Sequence, residues 1–205
     1  MKTLIKNGFV IDPANHVQAK LNVLLENGKV AAVTKDCPDA ERVIDAAGRV
    51  VCPGFIDIHM HEDPVRDGKI ARSIFDAMLR MGVTTAVGGN CGINVYDPVE
   101  YLDIVDRDGA PVNVVMFAGH QFFREKVGGT DKYAPISDAQ LEELKLELSQ
   151  ALKNGCAGIS YGLRYVPGTG RKEFLETASC CAESRKLISA HVRDDEARIF
   201  GAVAE

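Results

Sequence analysis

Over the first fifty residues, apolar and polar positions alternate in short runs. Apolar patches at 4–5 and 9–11 come first, and the run 21–25 leads through Glu26-Asn27-Gly28-Lys29 into a second run at 30–33. Asn-Gly between two apolar runs predicts a hairpin, because both turn residues must adopt positive φ. Residues 42–45 and 49–51 flank Ala46-Ala47-Gly48 and read as another hairpin. The pattern changes at Pro53-Gly54, where apolar runs begin to alternate with helical segments. Strands are expected at 55–60, 83–88, 112–118, 157–161 and 187–191. The helices between them are expected at 71–81, 98–107, 137–153 and 172–185, with a sixth segment from Asp195 also helical. In the third helix, Ser137 and Gln140 form a capping box, Leu141, Leu144, Leu148 and Leu152 recur at helical spacing, and Asn154-Gly155 ends it.

Strand–helix alternation of this kind predicts an α/β fold with parallel strands. We divide the chain into a small β segment, 1–52, and the first five to six βα units of a barrel, 53–205. A closed eight-stranded barrel needs about 250 residues of its own. The chain has 205, so the expectation is the N-terminal portion of a longer protein.

Charge narrows the partners. The net charge is −5 and the basic residues are scattered, which argues against nucleic acid. No apolar run approaches the roughly 20 residues that span a bilayer, and the first residues do not read as a signal peptide. The expected location is the cytoplasm. Six cysteines without a Cys-x-x-Cys pair argue against a disulfide scaffold, so most are expected to be reduced and buried.

The chemistry concentrates in Pro53-Gly54-Phe55-Ile56-Asp57-Ile58-His59-Met60-His61. On a strand, Asp57, His59 and His61 share one face, and Ile56, Ile58 and Met60 share the other. The polar set would face the rim where barrel active sites lie, and the apolar set would pack under the helices. Two converging imidazoles make a metal site. Cys91, in Gly89-Asn90-Cys91-Gly92 after the second strand, can reach the same ion as a thiolate. His191 ends the fifth strand on the same rim and completes the set His59, His61, Cys91 and His191. Asp57 is expected to orient a ligand histidine. His120 follows the third strand and is left out of the set; His16 is expected at the surface, and the other five cysteines read as structural.

These stretches, with Gly119-His120, the run Gly162-Leu163-Arg164-Tyr165-Val166-Pro167-Gly168 and His191-Val192-Arg193, resemble the amidohydrolase superfamily. Within it they are similar to the N-acyl-D-amino-acid deacylases, or D-aminoacylases. The resemblance implies a small β-sandwich, built partly from residues 1–50, attached to a TIM-like barrel. It implies Zn²⁺ as cofactor at positions matching His59, His61, Cys91 and His191, and Tyr165 on the substrate side. It implies a small N-acyl amino acid as substrate, hydrolysed at a linear amide. The family's proton-transfer aspartate and a later histidine would lie beyond Glu205, so no catalytic residue is assigned within the chain and the piece alone is expected to be inactive. The chain departs from the family at Asp195, where a glutamate is common, and after Gly119-His120, where bulkier residues follow.

Two rivals are a cyclic amidase of dihydroorotase or hydantoinase type, or a dipeptidase, and a non-catalytic relative that keeps the barrel for assembly. Cyclic amidases of this superfamily use a carboxylated lysine on the fourth strand, and 156–161 contains no lysine.

Overall fold

A computed structural model describes residues Met1–Glu205. The chain folds as two compact units, Met1–Gly54 and Phe55–Glu205.

The first unit is one five-stranded sheet built on β1 (Lys2–Asp12). β2 (Val17–Glu26) pairs antiparallel with β1, and β3 (Lys29–Thr34) with β2. The Asn27-Gly28 turn is as expected, with φ of 51° and 77°. The second expected hairpin does not form. β4 (Arg42–Asp45) and β5 (Val50–Val51) both run parallel to β1, one along each half of its free edge. The reason is a bulge in β1 between Ile5 and Gly8. Asn7 there takes φ 63°, and its side-chain amide donates to Asp45 Oδ1 at 3.0 Å. The Ala46-Ala47-Gly48 turn carries the chain past the bulge instead of reversing it, closed by Arg49 N–H to the Ala46 carbonyl at 2.9 Å.

In the second unit, β6 (Phe55–Asp57), β9 (Val83–Gly88) and β10 (Asn113–Met116) form a parallel sheet in the order β10-β9-β6. β11 (Ala118–Gly119), β12 (Gly158–Gly162) and β13 (Leu187–His191) form a second. The expected third strand is therefore split at Phe117. Below the break it pairs with β9, above it with β12, and the Phe117 N–H still reaches the Gly88 carbonyl at 3.0 Å. The intervening helices are α1 (Ser73–Arg80), α2 (Pro98–Asp108), α3 (His120–Lys126), α4 (Asp138–Lys153) and α5 (Arg171–Ser184), with α6 (Ile199–Ala204) last. The small hairpin β7 (Val65–Arg66) and β8 (Lys69–Ile70), and the short α3, lacked a periodic signal in the sequence. The capping box of Ser137 and Gln140 starts α4. Leu144, Leu148 and Leu152 from α4 pack with Ile159 and Tyr161 of β12.

The expected first strand stops three residues early. The Asp57 carboxylate accepts the His59 N–H at 3.0 Å, and beyond it one bond to β9 remains, from the Met60 N–H to the Val87 carbonyl at 2.9 Å. Met60 is buried against α1 residues Phe75 and Met78, whereas Ile56 and Ile58 are 64% and 72% exposed and do not pack under helices. β6 stands at the end of its strand order, with β9 as its one neighbour in the sheet.

Four cysteines are buried and two, Cys37 and Cys52, are exposed; none is in a disulfide. Burial pushes the Cys156 thiol up to about 12. A thiol reagent that needs thiolate is therefore expected to modify Cys37 and Cys52 rapidly at pH 8 in the folded chain, and Cys156 only after denaturation. Peptide mapping after a timed alkylation checks this, and early labelling of Cys156 contradicts it.

Candidate metal centre

The site is built around a turn that only a particular sequence tolerates. After β9, Gly89, Cys91 and Gly92 all take positive φ, at 71°, 59° and 77°. For a non-glycine residue such as Cys91 this conformation costs roughly 1–3 kcal/mol. A dense set of hydrogen bonds offsets it. Buried Glu62 accepts the Gly89 N–H at 3.0 Å and the Val95 N–H at 3.1 Å. The Asn90 amide donates to the Ile58 and Val87 carbonyls, at 3.2 and 2.9 Å. Gly92 N–H donates to Ser160 Oγ at 3.0 Å, and Asn94 Oδ1 accepts the Gly119 N–H at 2.7 Å. Neighbouring glycines give the turn its room. A Cβ on Gly92 would lie 2.8 Å from the Gly162 nitrogen, and one on Gly162 would collide with the Cys91 carbonyl.

This framework holds the buried Cys91 Sγ 3.4 Å from His59 Nε2 and 3.7 Å from His191 Nδ1. One ligand atom from each of His59, His61 and Cys91 lies within 4.8 Å of the others. The His59 and His61 rings meet edge-on, centroids 5.5 Å apart. His191 comes from the end of β13, in register with Gly162 of β12. Tyr165, in the turn after β12, places its hydroxyl 3.2 Å from His191 Nδ1. On the other side of that ring, Nε2 stands 3.1 Å from Asp195 Oδ2. A cavity of about 260 Å³ opens here, lined by His59, Cys91, His191 and Asp195 among others.

The donors suit zinc. Thiol and imidazole are its ordinary protein ligands, and a nitrogen and a sulfur on one tetrahedral zinc stand about 3.5 Å apart, given bond lengths of about 2.0–2.1 and 2.3 Å. The two Sγ–nitrogen separations straddle that value. Burial pushes the Cys91 thiol above its ordinary range. A cation held among these atoms reverses that preference, because the thiolate is the coordinating form.

One expectation changes. The hydrogen bond that Asp57 makes is to the backbone amide of His59, so it positions that residue's main chain, not an imidazole. His120 lies away from the cluster, fully buried, with Nε2 2.8 Å from Glu173 Oε1. His16 is exposed. The sequence reading missed Glu62, Asn94 and Ser160, which hold the Cys91 turn. For Glu62 and Asn94 the only signal was proximity in sequence, since Glu62 follows His61 directly and Asn94 lies three residues after Cys91, whereas Ser160 is brought to the turn by the fold alone.

No family model matches the chain. A D-aminoacylase from Alcaligenes xylosoxydans xylosoxydans is 28% identical over 229 aligned positions, covering 98% of this chain and 46% of the relative. A dihydroorotase from Aquifex aeolicus is 38% identical over 113 positions, covering 52% of this chain and 25% of the relative. Among solved structures, the N-acyl-D-glutamate deacylase from Bordetella bronchiseptica, complexed with zinc and a phosphonate inhibitor, superposes with a TM-score of 0.88. It is 26% identical, and the match covers 98% of this chain and 47% of that one. The chain thus spans about half the length of the relatives it matches end to end.

Proposed function

We propose that this chain, which resembles the D-aminoacylases of the amidohydrolase superfamily along nearly its whole length, carries the metal-binding part of a hydrolase of linear amides, with N-acyl-D-amino acids as substrates. The observation that carries the reading is the convergence of one buried thiol with imidazoles from separate strand ends. His59, His61, Cys91 and His191 would hold zinc. Bound there, zinc supplies a Lewis acid for the scissile carbonyl and a water that ionises near neutral pH. The Tyr165 hydroxyl, half-exposed beside His191, is placed to hydrogen-bond a substrate oxygen. Asp57 and Asp195 are both engaged, with a backbone amide and with His191, so neither is assigned proton transfer. In this reading residues 1–52 belong to a small β-sandwich and 53–205 to the first five or six units of a barrel. Free cysteines suit a reducing compartment such as the cytoplasm; no helix is long and apolar enough to cross a membrane.

A second reading, cyclic amide hydrolysis, draws on the local likeness to dihydroorotases. Against it, β12 (Gly158–Gly162) carries no lysine, and Lys153 sits at the end of α4.

The test is release of free amino acid from a panel of N-acetyl-D- and L-amino acids with added zinc. The 205-residue chain is expected to bind zinc without turnover. The protein at the length of its relatives is expected to hydrolyse the D-series. Inactivity on every D-substrate together with turnover of dihydroorotate would move the assignment to the second reading. Robust turnover by the 205-residue chain alone would show that it needs no further residues.

A further inference from the structure

The turn that follows β12 grips both sides of one imidazole. Tyr165 and Val166 N–H groups both donate to the Gly162 carbonyl at 2.9 Å, so the turn is tight. Its two adjacent residues then diverge. Tyr165 places its hydroxyl 3.2 Å from Nδ1 of His191. Arg164 reaches the opposite side, where its Nη1 pairs with Asp195 Oδ1 and its Nη2 with Glu196 Oε1 at 3.1 Å. The other Asp195 oxygen, Oδ2, lies 3.1 Å from His191 Nε2.

A neutral imidazole has one N–H and one lone-pair nitrogen, and an ionised carboxylate only accepts. Nε2 facing Asp195 must therefore carry the hydrogen, which leaves the lone pair on Nδ1. That is the nitrogen turned towards Cys91 Sγ, 3.7 Å away. With the opposite tautomer the ring would present N–H to the thiol and to any cation beside it.

We infer that Asp195, clamped by Arg164, is the positioning residue that fixes His191 in the Nε2–H tautomer and keeps a lone pair on Nδ1, which can accept from the Tyr165 hydroxyl or bind a cation. The consequence for zinc rests on the metal reading above; the tautomer itself does not. Partners that orient a ligand histidine in this way typically contribute 10–100-fold to metal affinity. Both Asp195 and Arg164 are part-exposed, with side-chain exposures of 41% and 39%. Substitutions at such sites usually change stability by less than about 0.5 kcal/mol, so a loss of affinity would not reflect unfolding.

The experiment has two arms. Long-range ¹H–¹⁵N correlation spectra of the metal-free chain, labelled at histidine, read the tautomer of His191 directly. Chelator competition reads zinc affinity. The native chain is expected to show the Nε2–H form. Asp195→Ala should populate Nδ1–H and weaken zinc binding by about 10–100-fold, while Asp195→Glu restores the Nε2–H form and most of the affinity. Arg164→Met should produce a smaller loss in the same direction. An Asp195→Ala chain that keeps the Nε2–H tautomer and binds zinc within about two-fold of native overturns the proposal. Absence of zinc uptake by the native chain would sink the metal reading alone, since the tautomer arm needs no metal.

Discussion

Cys91→Ala is expected to weaken zinc binding by more than about 100-fold, the upper end of what loss of a partner that merely orients a ligand costs. Cys91 contributes the only thiol at the cluster, and coordination would make it the one negative charge among neutral imidazoles. Its backbone already sits in a conformation that favours glycine, with φ 59°, and Glu62, Asn90, Asn94 and Ser160 hold it there. Removing the sulfur leaves that framework in place, so the folded state should survive while the affinity falls. Cys180→Ala is the control. Cys180 lies on α5, buried against α4 and outside the imidazole cluster, and zinc binding should not change. Elemental analysis after dialysis, followed by chelator competition, measures both. Equal zinc content in native and Cys91→Ala chains would refute the assignment of this residue.

Glu173→Leu should destabilise the second unit by about 3–5 kcal/mol. Glu173 on α5 is 4% exposed, and its Oε1 accepts from both His120 Nε2, at 2.8 Å, and Arg124 Nε, at 2.9 Å. Arg124 is itself 1% exposed and also donates to the carbonyls of Gly129, Asp131 and Ala134. An arginine does not shed its proton on burial, so without the carboxylate an uncompensated charge remains inside. For a chain of this length, a loss of that size corresponds to a fall in melting temperature of roughly 6–20 °C. The double change Glu173→Leu with Arg124→Met should cost less than Glu173→Leu alone, because it removes the stranded charge. Thermal and urea denaturation of the three chains would decide it. A single-variant loss below about 1 kcal/mol, the usual worth of an exposed ion pair, would mean that water reaches the guanidinium.

Much of the framework was legible in local patterns. The Asn27-Gly28 turn, the Ser137–Gln140 capping box and the apolar runs of β9 and β13 each depend on neighbouring residues. Steric and hydrogen-bond rules act there without reference to the rest of the fold. The same holds for the positions of Cys91 and His191 at or just beyond strand ends, whereas His59 and His61 lie beyond the end of β6 and not along one strand face.

What lay outside the sequence were choices between partners far apart along the chain. Residues 42–51 had the composition of a hairpin, yet the free edge of β1, broken by the bulge at Asn7, offered both segments a parallel partner. The strand at 112–118 was apolar but for Asn113, yet it pairs with β9 as far as Met116 and with β12 from Ala118, so it divides at Phe117. The burial of His120 was not marked in the sequence; it arises because α5 brings Glu173 against it, 53 positions away. His191 carried no mark of which nitrogen would be free. That was decided when the turn after β12 set Tyr165 on one side of the ring and Arg164, through Asp195, on the other. By itself, then, the sequence determined the order of the longer strands and helices and the chemical types of donor, because these follow from near-neighbour sterics and side-chain chemistry. Only the tertiary structure decided strand partners, buried charge pairs and the orientation of each donor, because those energies arise between segments that only the fold brings together.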